Sequence, residues 1–161
     1  MTAAVLILGF VTLQRLAELA VSRRNTAALL AAGGREVGAG HYPLIVLVHA
    51  GWLAALWLFA PGRPILWPLV AVFALLQLLR LWVLVTLGRR WTTRIIVLPG
   101  APLIGRGPFR LFRHPNYAVV VAEIAVLPLA FGRWQVALAF SLLNAAILAV
   151  RIRAEETALG F

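Results

Sequence analysis

The sequence predicts an all-α integral membrane protein of about five transmembrane helices, the last two forming a helical hairpin. Three observations carry that prediction. Hydrophobic residues make up 63% of the 161-residue chain and charged residues only 12%, against roughly 45–50% and 25% in soluble domains. The mean hydropathy is +0.95. The apolar residues also gather into runs approaching the ~20 residues that cross a hydrocarbon core. All fifteen basic residues are Arg, set against five Glu and no Asp, for a net charge of +10. In so apolar a chain an Arg excess sets membrane topology, so no nucleic-acid partner is expected. The absence of Cys excludes disulfides, thiolate metal sites and a Cys nucleophile.

Taken in order, residues 1–21 are apolar from the start and lack both a basic leader and a small-residue cleavage site. They read as a retained helix and not a signal peptide. Residues 43–59 and 65–87 are also long enough to span. Residues 117–131 and 135–150 are shorter, and only Gly132, Arg133 and Trp134 part them, which predicts a tight hairpin that is tilted or partly interfacial. One domain, 1–161, is expected: a three-helix membrane part over 1–87, then a catalytic loop, hairpin and tail over 88–161. Counting Arg along an odd number of spans places eleven on one side and two, Arg63 and Arg133, on the other. By the positive-inside rule the N-terminus faces out of the inner membrane and the C-terminus faces the cytoplasm, with the 29-residue connection 88–116. Connections of that length are often functional.

Polar groups within spans need partners or roles. At about 1.5 Å per residue, His49, Arg80, Glu123 and Asn144 all fall roughly 9–11 Å from the cytoplasmic end of their helices, with Arg15 similar and Glu18 shallower. Gln77 lies one turn beyond Arg80. Arg15 and Glu18, at i and i+3, can neutralise each other, and Arg80 can snorkel. Glu123 has no basic residue near it in sequence, which points to a role in a site. Together these groups predict a polar pocket opening to the cytoplasm beside the lipid. No His/Glu cluster has metal-ligand spacing, and no metal is expected.

The loop contains an extended run at 95–98 and turn signals at Pro99-Gly100 and Gly107-Pro108. Gly105-x-Gly107 runs into Pro108 and lacks the third Gly of a dinucleotide fingerprint. Pro115 suits the first turn of a helix. His114 and Asn116 then stand where free backbone donors meet an anionic group. A basic juxtamembrane loop gripping anionic lipid accounts for the Arg residues, but not for His-Pro-Asn-Tyr. In the tail, Arg151 and Glu155 share a helix face at i, i+4, and Glu155-Glu156 suits a cationic ligand.

Arg113-His114-Pro115-Asn116-Tyr117, followed by a hairpin and Arg151-x-x-x-Glu155-Glu156-x-x-Leu159, resembles the isoprenylcysteine carboxyl methyltransferase family. The resemblance is tight over residues 88–161 and extends only to hydropathy before them. Phospholipid N-methyltransferases and, more distantly, sterol reductases share parts of this pattern. One departure is Val119, where many members of the family have Gly. The resemblance implies an integral-membrane methyltransferase that uses S-adenosylmethionine, bound by a site built from the His-Pro loop, the hairpin and the tail. By position it assigns His114, Pro115, Asn116, Tyr117, Glu155 and Glu156 to the cofactor, and Arg151 with Glu155 to catalysis. Trp91-Thr92-Thr93-Arg94 and Glu123 look more like a bacterial branch linked to alkylpyrone or phenolic lipids, which adds Arg94 and Glu123 to the catalytic set.

Methyl transfer from a sulfonium needs positioning and exclusion of water more than acid–base help. Arg94, Arg151 or Arg80 can hold an acceptor's oxygen anion in a planar fork. The expectation is therefore an O-methyltransferase acting on a lipophilic carboxylate, enol or phenol, prenylated or not, that enters from membrane lipid. The alternatives are an NADPH-dependent membrane reductase and a non-enzymatic lipid-binding protein.

Overall fold

The structure, a computed structural model, describes residues 2–160. Five α-helices run α1 Thr2–Ala31, α2 Tyr42–Phe59, α3 Trp67–Leu87, α4 Pro115–Ala130 and α5 Trp134–Leu159. Four of them are long and apolar enough to cross a membrane, and the 16-residue α4 is not. The expected helix lengths are revised in two places. The helix that begins near residue 135 is not short, because the tail continues it without a break to Leu159 and gives α5 26 residues. Helix α1 likewise runs beyond the apolar stretch 1–21, to 30 residues or about 45 Å.

The inward residues lie on single helical stripes. On α1 they are Ala4, Leu8, Val11, Glu18, Ser22 and Asn25, at alternating spacings of three, four and seven that keep one face inward. On α5 the buried residues Ala137, Asn144 and Arg151 recur every seven positions. Each stripe is apolar in one half and polar in the other, so packing the helices side by side sorts the interior into two ends. Ala4, Leu8, Val11, Trp52, Leu56, Phe73, Ile124, Leu127 and Phe131 form the core of the first end. There the chain crosses between helices through a Leu66 N–H bond to the Ala130 carbonyl at 2.8 Å, and Arg133 Nε donates to the Phe59 carbonyl at 2.6 Å. Trp52 Nε1 donates to the Ile124 carbonyl at 3.2 Å, tying α2 to α4 inside that core.

The opposite end is covered by irregular chain. The 95–98 run is extended, as its composition predicts, and strand β2 (Ile95–Val97) pairs antiparallel with β1 (Arg35–Val37) in the register Glu36 opposite Ile96. The partner strand comes from the α1–α2 connection, which carries no strand signal of its own. Asn25 anchors the start of the loop by donating to the Trp91 carbonyl at 2.8 Å and the Gly88 carbonyl at 3.3 Å. The Thr93 backbone N–H donates to Ser22 Oγ at 2.8 Å. Pro at the first or second position opens α2, α3 and α4, where its missing N–H would be unpaired in any case.

Candidate active site

Midway along the bundle the polar halves of the stripes meet. Arg80 holds both oxygens of Glu18, Nε to Oε1 at 2.5 Å and Nη2 to Oε2 at 2.6 Å, and Nη1 reaches Glu123 Oε2 at 3.0 Å. Arg15 bridges the same two acids, at 3.1 Å to Glu18 and 2.8 Å to Glu123. Gln77 donates to Glu123 Oε1 at 2.8 Å and accepts from Gln14 at 2.7 Å. Two Arg and two Glu thus sum to zero charge, and each carboxylate is held by both Arg and by an amide, as buried ions require, while Arg15 Nε and Gln14 Oε1 stay unpaired. The predicted layer exists for these residues, and Glu123, which has no basic residue near it in sequence, takes its partners from α1 and α3. Glu123 is fully buried and lines neither of the cavities described next. His49 and Asn144 stand on a cavity wall.

Two cavities lie near this quartet. The larger, about 280 Å³, is walled by apolar side chains including Leu16, Leu19, Ile45, Leu53, Ile147 and Leu148, with Arg15, Glu18 and Arg80 exposed on its lining. The smaller, about 150 Å³, lies between the loop and the ends of α4 and α5, and its lining includes Arg90, Arg94, His114, Pro115 and Glu155. Trp91, Thr92, Asn116, Tyr117 and Arg151 line both.

The shared wall is organised around Tyr117. Its hydroxyl accepts from Arg151 Nε at 2.9 Å and donates to Glu155, and the Arg151 guanidinium carbon lies 5.5 Å from the ring centroid. His114 stacks on the same ring, centroids 5.3 Å apart and planes 17° off parallel. His114 Nε2 approaches Glu156 at 3.4 Å and Nδ1 approaches Glu155 at 3.8 Å. The His-Pro-Asn-Tyr turn and the Arg-x-x-x-Glu-Glu helix therefore form one cluster, because Pro115 starts α4 beside the end of α5. Of the residues expected to hold a cofactor, His114, Pro115, Asn116, Tyr117 and Glu155 line the smaller cavity, and Glu156 stands behind His114 without lining it. Arg94 lines it too, but its Nη1 is held by both Glu36 oxygens at 2.7 and 2.9 Å and its guanidinium stacks 4.3 Å over Tyr42.

Two features of this wall escape sequence reasoning. Among the described residues, Trp91 Nε1 and Asn116 Oδ1 are buried without a hydrogen-bond partner. Buried polar atoms are nearly always paired, so each orphan asks for a ligand or a role. Thr93 is the second: it links Ser22 and Tyr42, at 2.8 and 3.1 Å. Its sequence signals are its place in Trp91-Thr92-Thr93-Arg94 and the polar i, i+3 pair Ser22 and Asn25 near the end of α1, and neither shows this link.

Comparison with known proteins places the chain in a family. Residues 69–160, which hold the whole cluster, match the isoprenylcysteine carboxyl methyltransferase (ICMT) family. The chain belongs to that family. It is 40% identical over 159 residues to the uncharacterized protein YpbQ of Bacillus subtilis, covering 96% of this chain and 95% of the relative. An uncharacterized protein of Haemophilus influenzae is 28% identical over 154 residues, 91% of this chain and 88% of its own. No solved structure matches. Membership in a membrane methyltransferase family and four spanning-length helices mark the chain as a membrane protein.

Proposed function

We propose that this ICMT-family protein is an S-adenosylmethionine-dependent O-methyltransferase whose lipophilic acceptor occupies the larger cavity and whose methyl donor occupies the smaller. The observation that carries the reading is the wall of Trp91, Thr92, Asn116, Tyr117 and Arg151 that the two cavities share. An apolar chamber and a polar one that meet at a single partition suit a transfer between a lipid and a water-soluble donor.

The residues present fit the donor. Asn116 Oδ1 and Trp91 Nε1 offer an unused acceptor and an unused donor to a molecule rich in amino, hydroxyl and amide groups. Glu155 offers a carboxylate in the same lining. When bound, S-adenosylmethionine supplies a methyl group on a sulfonium. The chain's own residues supply position. Arg151 is 7% exposed, and with Nε spent on Tyr117 it keeps its terminal nitrogens for an acceptor's oxygen anion. The hydrogen-bonded chain from Arg151 through Tyr117 to Glu155, stacked on by His114, holds that guanidinium in one orientation. Such preorganisation is where a simple displacement gains most of its rate. The apolar lining excludes water from the acceptor oxygen. Arg94, committed to Glu36 and Tyr42, shapes the rim, and Glu123 positions Arg15 and Arg80 without touching the reactants.

Calorimetric titration of detergent-purified protein with S-adenosylhomocysteine, with NADPH as the control, tests the reading. Micromolar binding of S-adenosylhomocysteine and none of NADPH is expected. Binding of NADPH alone overturns it in favour of a reductase, and no binding by folded protein favours a lipid-binding protein.

A further inference from the structure

A third cavity, about 460 Å³, lies outside the site. It is lined by Thr86, Leu87, Arg89 and Arg90 at the end of α3 and by Pro102, Leu103, Ile104, Gly105 and Arg106 from the loop. The loop is fixed there at two points. Arg90 Nη1 donates to the Pro102 carbonyl at 2.6 Å. Gly107, at φ +58°, packs so closely on α3 that a Cβ would lie 2.8 Å from Thr86 Oγ1. The cleft is thus a built feature.

Its charge has one sign. Residues 88–122 contain six Arg and no acid, and three of the six line this cleft. Arg89 and Arg90 end a spanning-length segment, Trp67–Arg90, so they stand at the level where hydrocarbon gives way to headgroups. Directly below, Leu75, Leu78, Trp82 and Val85 follow one face of α3 at spacings of three, four and three, and all are exposed, from 44% to 70%. Leu103, Leu111 and Phe112 beside the cleft are exposed as well, at 58–69%. A cationic pocket that continues into an uncovered apolar stripe matches a molecule with a phosphate at one end and acyl chains at the other. The energetic logic is that of basic pockets at membrane surfaces, which attract anionic headgroups.

We propose that this cleft binds the headgroup of an anionic glycerophospholipid, with the phosphate between Arg89, Arg90 and Arg106 and the acyl chains along Leu75, Leu78, Trp82 and Val85. A resident lipid there braces the loop whose other face walls the donor cavity through Arg90 and Trp91.

Native mass spectrometry of the protein released from bilayers of equal phosphatidylglycerol and phosphatidylcholine tests the site. The wild type is expected to retain phosphatidylglycerol at least fivefold over phosphatidylcholine. Arg106→Glu, an exposed loop change, and the double variant Arg89→Gln with Arg106→Gln are expected to bring that ratio close to one. Arg23→Gln with Arg24→Gln on α1 is expected to leave it unchanged. Equal retention of both lipids by the wild type, or a ratio that the cleft variants leave intact, would overturn the proposal. So would loss of the lipid on adding millimolar inorganic phosphate, which would assign the cleft to a free anion.

Discussion

Arg151 Nε donates to the Tyr117 hydroxyl at 2.9 Å, and this bond joins two motifs that lie 34 residues apart. Tyr117 passes the polarisation on by donating to Glu155. The hydroxyl is therefore the hinge of the shared wall: without it, a guanidinium 7% exposed and a carboxylate each lose a partner.

Tyr117→Phe keeps the ring on which His114 stacks and removes only that hydroxyl. A buried group left without its hydrogen bond costs about 1–3 kcal/mol. S-adenosylhomocysteine affinity is expected to fall about tenfold, about 1.4 kcal/mol, with helical circular dichroism unchanged. Titration calorimetry on the two proteins reads the difference, and equal affinities would remove Tyr117 from the donor site.

Glu123 makes the opposite kind of prediction, because its role is in the quartet. Glu123→Leu leaves Arg15 and Arg80 with one acid between them and is expected to cost about 3–5 kcal/mol, seen as a lower melting temperature in detergent. Arg15→Leu combined with Glu123→Leu restores neutrality and keeps the paired Arg80–Glu18 contacts. The double variant is expected to be more stable than the sum of the single losses by about 1–3 kcal/mol. Strict additivity would mean that the quartet is not coupled.

What the sequence revealed and concealed follows from the reach of each signal. Apolar runs and the Pro115 start of α4 are local, so the helices, the hairpin at Gly132 and the extended 95–98 run were all legible. The seven-residue spacing of Ala137, Asn144 and Arg151 was present as well, but it becomes a stripe only once α5 is seen to continue through the tail. The partners of Glu123 were not legible, because the two Arg are 43 and 108 residues away and no local pattern encodes a pairing between helices. The Glu36–Arg94 pair depends likewise on the β1–β2 register, in strands of three residues each that are too short to show alternation.

Arg94 can be separated from its partner. The pair is partly exposed, Arg94 at 38% and Glu36 at 21%, so its contribution to stability is about 0–1 kcal/mol. Glu36→Ala and Arg94→Ala are both expected to change the melting temperature by no more than a few degrees. If Arg94 only shapes the rim, the two variants also lower methyl transfer equally. A much larger loss for Arg94→Ala would place it against the acceptor.

Gly107→Ala tests how the loop is seated. Alanine is disfavoured at φ +58°, and its Cβ meets the Thr86 hydroxyl at 2.8 Å. A cost on the order of 1–3 kcal/mol is expected to fall locally, as faster proteolysis within 98–113 while the helices hold. Unchanged cleavage would show that the loop is not fixed at this point.

In the proposed reaction one wall brings a methyl donor in the smaller cavity against a lipid in the larger. It is tested most directly by incubating membranes that contain the protein with methyl-labelled S-adenosylmethionine and counting label in the organic extract. Extractable label is expected with the wild type, with a loss of about tenfold or more in Arg151→Gln, equivalent to at least about 1.4 kcal/mol in the barrier. Label that never exceeds that of membranes lacking the protein, or label that Arg151→Gln leaves undiminished, would contradict it.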